Sequence, residues 1–392
     1  MLSQTSAITR INLQTIPERW GPSLVIIIGL AGVVAVFTAL LAMAEGFQAT
    51  LKATGRKDAA IILRGGSNTE LNSAIDRDST ALIKQGRGIR LGEDGKPLAA
   101  AELMIITELM KKGESTNGSN VTLRGVEPAS FTLRPNVRIF EGRMFQTGLR
   151  EIIVGRGVAR QFEGVQVGQI LRMRGSEWNV VGVFESGDAH ESELWTDAEI
   201  AQSTFGRRGY SSILAALNGD DVLDQLKISL NADPRLMIDV QTEQNYYSGQ
   251  TKQFRAMIGI LAGVVTVIMG LGAIFAALNT MYAAVATRAK EIATLRALGF
   301  GSLPVLISVM IEAIILALIG GVIGALIAYF LFNNLSVSTL SDNFTQVVFS
   351  FKVTMHLVVN GLMIAVVIGM FGGLFPAVRA ARLPVTTALR AL

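Results

Sequence analysis

The sequence predicts a membrane α-helical protein with four transmembrane helices and a large α+β extracytoplasmic domain inserted between the first and the second. Three observations predict it. Half of the 392 residues are hydrophobic and only 17% are charged, where a soluble domain carries about a quarter. The excess is gathered into four long apolar runs towards the two ends of the chain. Residues 45–255, between the first two runs, have ordinary globular composition. The mean hydropathy of +0.44 argues against a single soluble enzyme and against a disordered or fibrous chain. With no cysteine in the chain, a disulfide scaffold, a thiol nucleophile and thiolate metal sites are excluded.

Each run has the roughly 20 apolar residues that a bilayer-crossing helix needs. The first span is placed at 23–44, with no charge from Leu24 to Ala44. The second, 257–286, is charge-free; the third, 304–331, contains only Glu312; the fourth, 355–378, contains only His356 near its start, read as an interfacial residue. Ala42-Met43-Ala44 imitates a signal-peptide cleavage site, yet the run before it exceeds the 7–15 or so apolar residues of a signal peptide. Ala31, Ala35 and Ala39 also recur at helix-packing spacing, so the first helix is expected to be retained.

Orientation follows from Lys and Arg in the short segments. An N-terminal amphipathic helix at 1–22 carries Arg10 and Arg19, the loop at 287–303 carries Arg288, Lys290 and Arg296, and the tail at 379–392 carries Arg379, Arg382 and Arg390. Only Glu18 and Glu291 oppose these eight. The loop at 332–354 holds just Asp342 and Lys352, and residues 45–255 have 26 basic against 27 acidic residues. Both termini and the 287–303 loop are therefore expected in the cytoplasm, the large domain outside. The basic pI of about 9.4 is a topology signal, and no nucleic-acid partner is expected.

Within 45–255, β-like runs are read at Ala59–Arg64, Val121–Val126, Glu151–Val154, Gln169–Met173, Trp178–Phe184, Ser212–Leu217 and Met237–Val240. Thr196-Asp197-Ala198-Glu199 reads as a capping box opening a helix through Phe205. Asp220–Leu230 reads as a helix between two strands, a βαβ unit. Residues 85–120, rich in Gly, Lys and Ser, are expected to be a mobile insertion. Residues 241–256, opened by Thr242, should extend the second span outward as a stalk. Asp188, His190, Glu191 and Glu193 resemble metal ligands in type only, lack an i, i+4 pair, and read as a solvated loop. Gly92-Glu93-Asp94-Gly95-Lys96-Pro97 lacks the spacing of a phosphate loop. No catalytic, cofactor or metal residue is expected on this chain.

Small residues recur at four-residue spacing in the last three spans: Gly259 and Gly263; Gly320, Gly324 and Ala328; Gly361, Ala365, Gly369 and Gly373. Such rows let helix backbones approach closely in lipid, and three of them predict a dimer. Glu312 sits about two turns inside the third span, where an unpaired carboxylate costs several kcal/mol. Arg288, Lys290 and Asn279 are its expected partners. Below it, 287–301 reads as an amphipathic helix with Ile292, Leu295 and Leu298 on one face, Arg288, Glu291 and Arg296 off it, and Gly299 ending it. Its mixed charge suits a protein partner.

Asn279-Thr280-Met281-Tyr282 followed by Arg288, Lys290, Glu291, Ile292, Ala293, Leu295, Arg296, Ala297, Leu298 and Gly299 resembles the coupling-helix signature of the MacB/FtsX/LolC-type permeases of ABC transporters. Glu312 with the glycine-rich span after it resembles them as well, as do Phe375-Pro376-Ala377, Ala380-Ala381-Arg382, Pro384 and Ala388-Leu389-Arg390. In the outward domain, Leu123-Arg124-Gly125-Val126-Glu127-Pro128, Glu141-Gly142-Arg143, Glu151–Gly155 and Trp178–Phe184 continue the likeness. The resemblance implies two permease chains, identical or related, and two cytoplasmic ATPase subunits docked on the 287–301 helices. ATP and Mg would sit on those subunits and none on this chain. It further implies extrusion of a substrate from the periplasm or outer leaflet across a bacterial inner membrane, with a periplasmic adaptor in some members, or force transmission to an outside partner as in FtsX-type members. The ATPase is therefore expected on a separate chain, where MacB carries it fused before the first span, and residues 45–255 are larger than the outward domain of FtsX-type members.

Overall fold

Among the described residues, four helices are long and apolar enough to cross a membrane: Trp20–Thr54, Glu243–Thr287, Ser302–Phe332 and Met355–Ala381. The structure is a computed structural model and describes residues 4–6, 8–10, 20–113, 118–219, 222–340 and 346–384. Most of the amphipathic helix expected at 1–22, with Glu18 and Arg19, lies outside the described residues, as do Asp220, Asp221, Asp342 and the tail beyond Pro384 with Arg390. The chain divides into two units. A helical unit takes residues 1–45, 255–335 and 351–392, and a sheet unit takes 46–254 and 336–350.

In the sheet unit the strands run in the order Ile238–Thr242, Ala59–Arg64, Ser212–Ala216, Ala99–Met110, Gly118–Val126, Glu193–Asp197, Glu151–Gly155, Ser176–Glu185, Arg138–Gly142, with Ile170–Met173 paired to Ser176–Glu185. Pairing is antiparallel except between Gly118–Val126 and Glu193–Asp197 and between Glu151–Gly155 and Ser176–Glu185. All seven runs read as β-like are strands. Ala59–Arg64 has five consecutive buried residues because both faces are covered. Ala60 and Ile62 pack with Ile83, Leu226 and Leu230, while Ala59 packs with Leu133. The helix Leu223–Asn231 does connect Ser212–Ala216 to Ile238–Thr242, but Ala59–Arg64 lies between them and pairs with both. It is a split βαβ arrangement.

Three expectations are corrected here. Residues 85–120 are not a mobile insertion, because Ala99–Met110 is a central strand whose first seven residues are buried. Gly, Lys and Ser crowd only its two flanks. The helix Ala198–Phe205 exists, but Asp197 caps it by accepting from Ile200 N at 2.9 Å. Thr196 instead donates to Glu151 O at 2.8 Å, and Glu199 accepts from Tyr210 at 2.7 Å. A strand pair unforeseen in the 332–354 loop, Ser336–Leu340 with Gln346–Ser350, belongs to the sheet unit. Val348 N there donates to Ser192 Oγ at 2.8 Å.

The solvated loop is the third correction. Asp188, His190 and Glu193 are all buried and join an ionic network centred on Arg124, 1% exposed. Arg124 contacts Glu70 at 2.8 Å, Glu102 at 2.9 Å and Glu193 at 2.8 Å. Arg134 pairs with Glu102 and stands 3.7 Å from Glu243. Burial alone would raise the Glu102 carboxyl, but Arg134 and Arg124 outweigh it and hold it at about 2. Asp188 is likewise held at about 2, burial being outweighed by His190 and by hydrogen bonds from Ser186 and Asn136. For His190, burial favours the neutral ring, yet Asp188 at 3.1 Å wins and raises its pKa.

The long helix Glu243–Thr287 starts inside this network. Its first residue, 1% exposed, accepts from Arg56 N at 3.0 Å, and Tyr246 accepts from Glu70 N at 3.0 Å. Gly55 permits the approach, since a Cβ there would lie 2.6 Å from Gln244 Cα. The stalk expected at 241–256 is thus a continuous part of the second span's helix, beginning at Glu243.

In the helical unit the small residues of spans three and four are consumed within the chain. A Cβ on Gly320 would lie 2.8 Å from Ile27 O, and one on Gly324 2.4 Å from Ala31 O. Gly361 faces Val34 at 2.9 Å, Gly369 faces Ala317 at 2.5 Å and Gly373 faces Ala313 at 2.6 Å. These two rows therefore give no argument for a dimer. A Cβ on Gly259 or Gly263 would meet nothing within 4 Å among the described residues.

Two outcomes check the network. Arg124→Met strands three carboxylates and should destabilise the protein by about 3–5 kcal/mol, read as a lower melting temperature of the detergent-solubilised chain. The raised His190 pKa gives stability that is complete below about 6.5, its unfolded value, and is lost as pH rises through the folded one. Melting temperature should accordingly fall as pH rises above about 6.5, and His190→Asn should flatten that slope.

Candidate functional site

Glu312 lies ten residues into the helix Ser302–Phe332, about 15 Å along its axis at 1.5 Å per residue. A carboxylate at that depth in an apolar helix is costly unless paired with a cation. The helix Glu243–Thr287 supplies it by ending in time. Arg288 leaves helical geometry (φ −97°, ψ 7°) before the next helix, Ala289–Ala297, begins. Its guanidinium donates from Nη1 to Glu312 Oε2 at 2.9 Å and from Nη2 to Glu312 Oε1 at 2.9 Å. Both side chains are 6% exposed. Two parallel bonds from a planar fork hold orientation as well as distance. A lysine, as a point charge, would not.

The pair lies at one side of a cavity of about 320 Å³ whose walls include Ile8, Met281, Val285, Ile292, Val305 and Val309. Ile292 and Ala293 turn the short helix onto this interior. Gly299, at φ +95°, stops it in the left-handed conformation that suits glycine at a helix C-terminus.

The expected site residues are thereby divided. Arg288, expected on the polar face of the loop, is buried and paired to Glu312. Lys290 and Asn279, its alternatives, are exposed. Leu295 is half-buried against the core of the helical unit, and Arg296 donates to Leu383 O. The exposed residues of the segment 289–298 are Lys290, Glu291, Thr294, Ala297 and Leu298, the last 73% exposed, and Glu291 and Thr294 also border the cavity. Sequence reasoning missed the Arg124–Glu102–Arg134 network. Its signal was available: Glu102 interrupts an apolar run, and Arg124 sits inside a strand.

The family model of the MacB-like periplasmic core domain matches residues 23–232, more than half of the chain. The chain belongs to the MacB/FtsX-type family of ABC permeases. The model of the FtsX-like permease C-terminal region matches residues 263–385 and takes in the short helix, Arg288 and Glu312. Membership implies an ABC ATPase partner and dimerisation, and permeases of this kind are generally non-catalytic by themselves. A search of curated proteins gives no match. Among solved structures, the extracellular domain of the noncanonic ABC-type transporter YknZ from Gram-positive bacteria is 17% identical, covering 47% of this chain and 100% of its own, with a TM-score of 0.37. The periplasmic region of MacB from Actinobacillus actinomycetemcomitans is 11% identical, covering 52% and 94%, with a TM-score of 0.37. At these scores the family models, not the superpositions, decide membership.

For the permease, the buried pair predicts an asymmetry. Glu312→Gln leaves the Arg288 charge without its counter-ion and should cost about 3–5 kcal/mol, whereas the double replacement Arg288→Met with Glu312→Leu should cost less than the single one. Thermal unfolding of the three proteins in one detergent checks the order.

Proposed function

We propose that the permease couples ATP hydrolysis on a separate ATPase chain to extrusion of a substrate from the periplasm or outer leaflet, in the manner of MacB and LolC. The observation that carries this reading is the Arg288–Glu312 pair. It joins the end of the helix Glu243–Thr287 to the third span directly beside the short helix Ala289–Ala297. A partner pushing on the short helix moves Arg288, and Arg288 moves the third span through Glu312 and the long helix through the chain. The long helix is 45 residues, about 67 Å at 1.5 Å per residue. Its first residue is fixed by Arg56 in the sheet unit. On this reading the sheet unit works outside the membrane, and both termini and the 287–303 loop lie in the cytoplasm of a bacterial cell. ATP and Mg belong to two ATPase subunits, and a second permease chain, the same or related, completes the assembly.

The exposed part of the short helix gives the docking test. Leu298→Asp places a carboxylate in the ATPase contact without touching the interior. It should weaken co-purification at least tenfold, about 1.4 kcal/mol or more, and leave the melting temperature unchanged. Unchanged co-purification and ATP hydrolysis would remove the docking role. Topology is checked on the naturally cysteine-free chain. Asn68→Cys should label only from outside and Lys290→Cys only from the cytoplasm. ATP hydrolysis stimulated by an exported substrate supports the transport reading. Activation of an outside partner without such stimulation supports the FtsX-like transmitter instead.

A further inference from the structure

The central strand of the sheet unit has an unpaired stretch of edge. Ala99–Met110 is flanked on one side by Gly118–Val126 along residues Leu103–Met110, and on the other by Ser212–Ala216 along residues Ala99–Glu102 only. Beyond Glu102 that second side is closed at two points. Met104 N donates to Ser211 Oγ at 2.9 Å, and Met110 O accepts from Glu163 N at 2.9 Å. With a two-residue strand period, Ile106 and Glu108 turn their N–H and C=O groups to the same side. Among the described residues no group bonds to them there. Between the closures the edge is about 20 Å long at 3.3 Å per residue.

That edge lines an open cleft of about 510 Å³. Leu71, Met173 and Phe205 supply apolar wall, and Arg172, Arg174 and Arg207 supply cationic rim. Arg172 is paired to Glu177 at 2.8 Å, whereas Arg174 and Arg207 have no carboxylate partner among the described residues. Arg174 also occupies the first position of the two-residue turn between Met173 and Ser176 at φ +48°. Glycine, asparagine and aspartate are the usual residues there. A long cation in that conformation is a local cost, and such costs gather at functional positions.

We propose that this edge receives an extended acidic segment of a partner protein as an added strand. Main-chain bonds to Ile106 and Glu108 would supply affinity, and alternate side chains would meet the apolar wall and the two free arginines. Among the residues lining the cleft, Glu108 is acidic against Arg172, Arg174 and Arg207, two of them without a carboxylate partner among the described residues. The charge of the rim therefore selects an acidic segment over a basic one.

The test uses the full chain in phosphatidylcholine nanodiscs and a fluorescein-labelled hexapeptide of alternating glutamate and valine, followed by anisotropy. The acidic peptide should saturate and bind at least tenfold more tightly than its lysine–valine counterpart. N-methylation of its alternate amides should abolish binding. Ile106→Pro removes an edge N–H that the ladder to Gly118–Val126 does not use, and should weaken binding at least tenfold. Arg174→Glu with Arg207→Glu should reverse the charge preference, which keeps the test decisive should the proline variant fold poorly. Equal affinity for the acidic and basic peptides, undiminished binding after N-methylation, or no binding of the acidic peptide would each overturn the proposal. So would conversion of a dimer to a monomer by Ile106→Pro, which would assign the edge to a second copy of the chain.

Discussion

A carboxylate placed three turns inside an apolar helix has to be neutralised by a cation held in place, and Glu312 with Arg288 meets that requirement. The rest of the helical unit is arranged around it. For the guanidinium to reach the third span, the helix Glu243–Thr287 must end one residue before Arg288 and the next helix must begin one residue after it. The short helix then has Ile292 and Ala293 turned inward and Lys290, Glu291 and Leu298 turned outward. Its orientation is set by the pair together with Ile292 and Ala293, which are buried in the helical unit. The first, third and fourth spans are seated closely on one another through Gly320, Gly324, Gly361, Gly369 and Gly373, and the pair itself is 6% exposed.

The sheet unit obeys the same constraint with more members. Arg124 holds three carboxylates, Arg134 shares one of them and approaches Glu243, and His190 is retained by Asp188. Breaking any one contact leaves a buried charge, so the members act together. Glu243, the first residue of the long helix, accepts from Arg56 N and stands 3.7 Å from Arg134, while Arg288, just after the helix's last residue, pairs with Glu312.

Much of this was legible in the sequence, and the losses have physical reasons. The four spans followed from apolar length alone, and Ala59–Arg64 was read to the residue because an uninterrupted apolar run between turns has few other solutions. Ala99–Met110 was lost because Glu102 breaks its pattern, and the residues that neutralise Glu102 are 22 and 32 positions away. Asp188 and His190 were misread for the same reason: polar residues close in sequence suggest a loop until their distant partners are known. At Glu312 the need for a partner was evident, while the choice among Arg288, Lys290 and Asn279 depended on where the second helix stops. The glycine rows showed that helices pack but not against which neighbours. Spans within one chain proved sufficient for two of the three rows.

The central claim is that Glu312 fixes the short helix through Arg288. Amide hydrogen exchange over residues 289–299, compared between the wild type and Glu312→Gln in the same detergent, tests it most directly. The account predicts faster exchange across the short helix in the variant, with the amides of Gly320–Phe332 unchanged. Equal exchange of the short helix in the two proteins would contradict it.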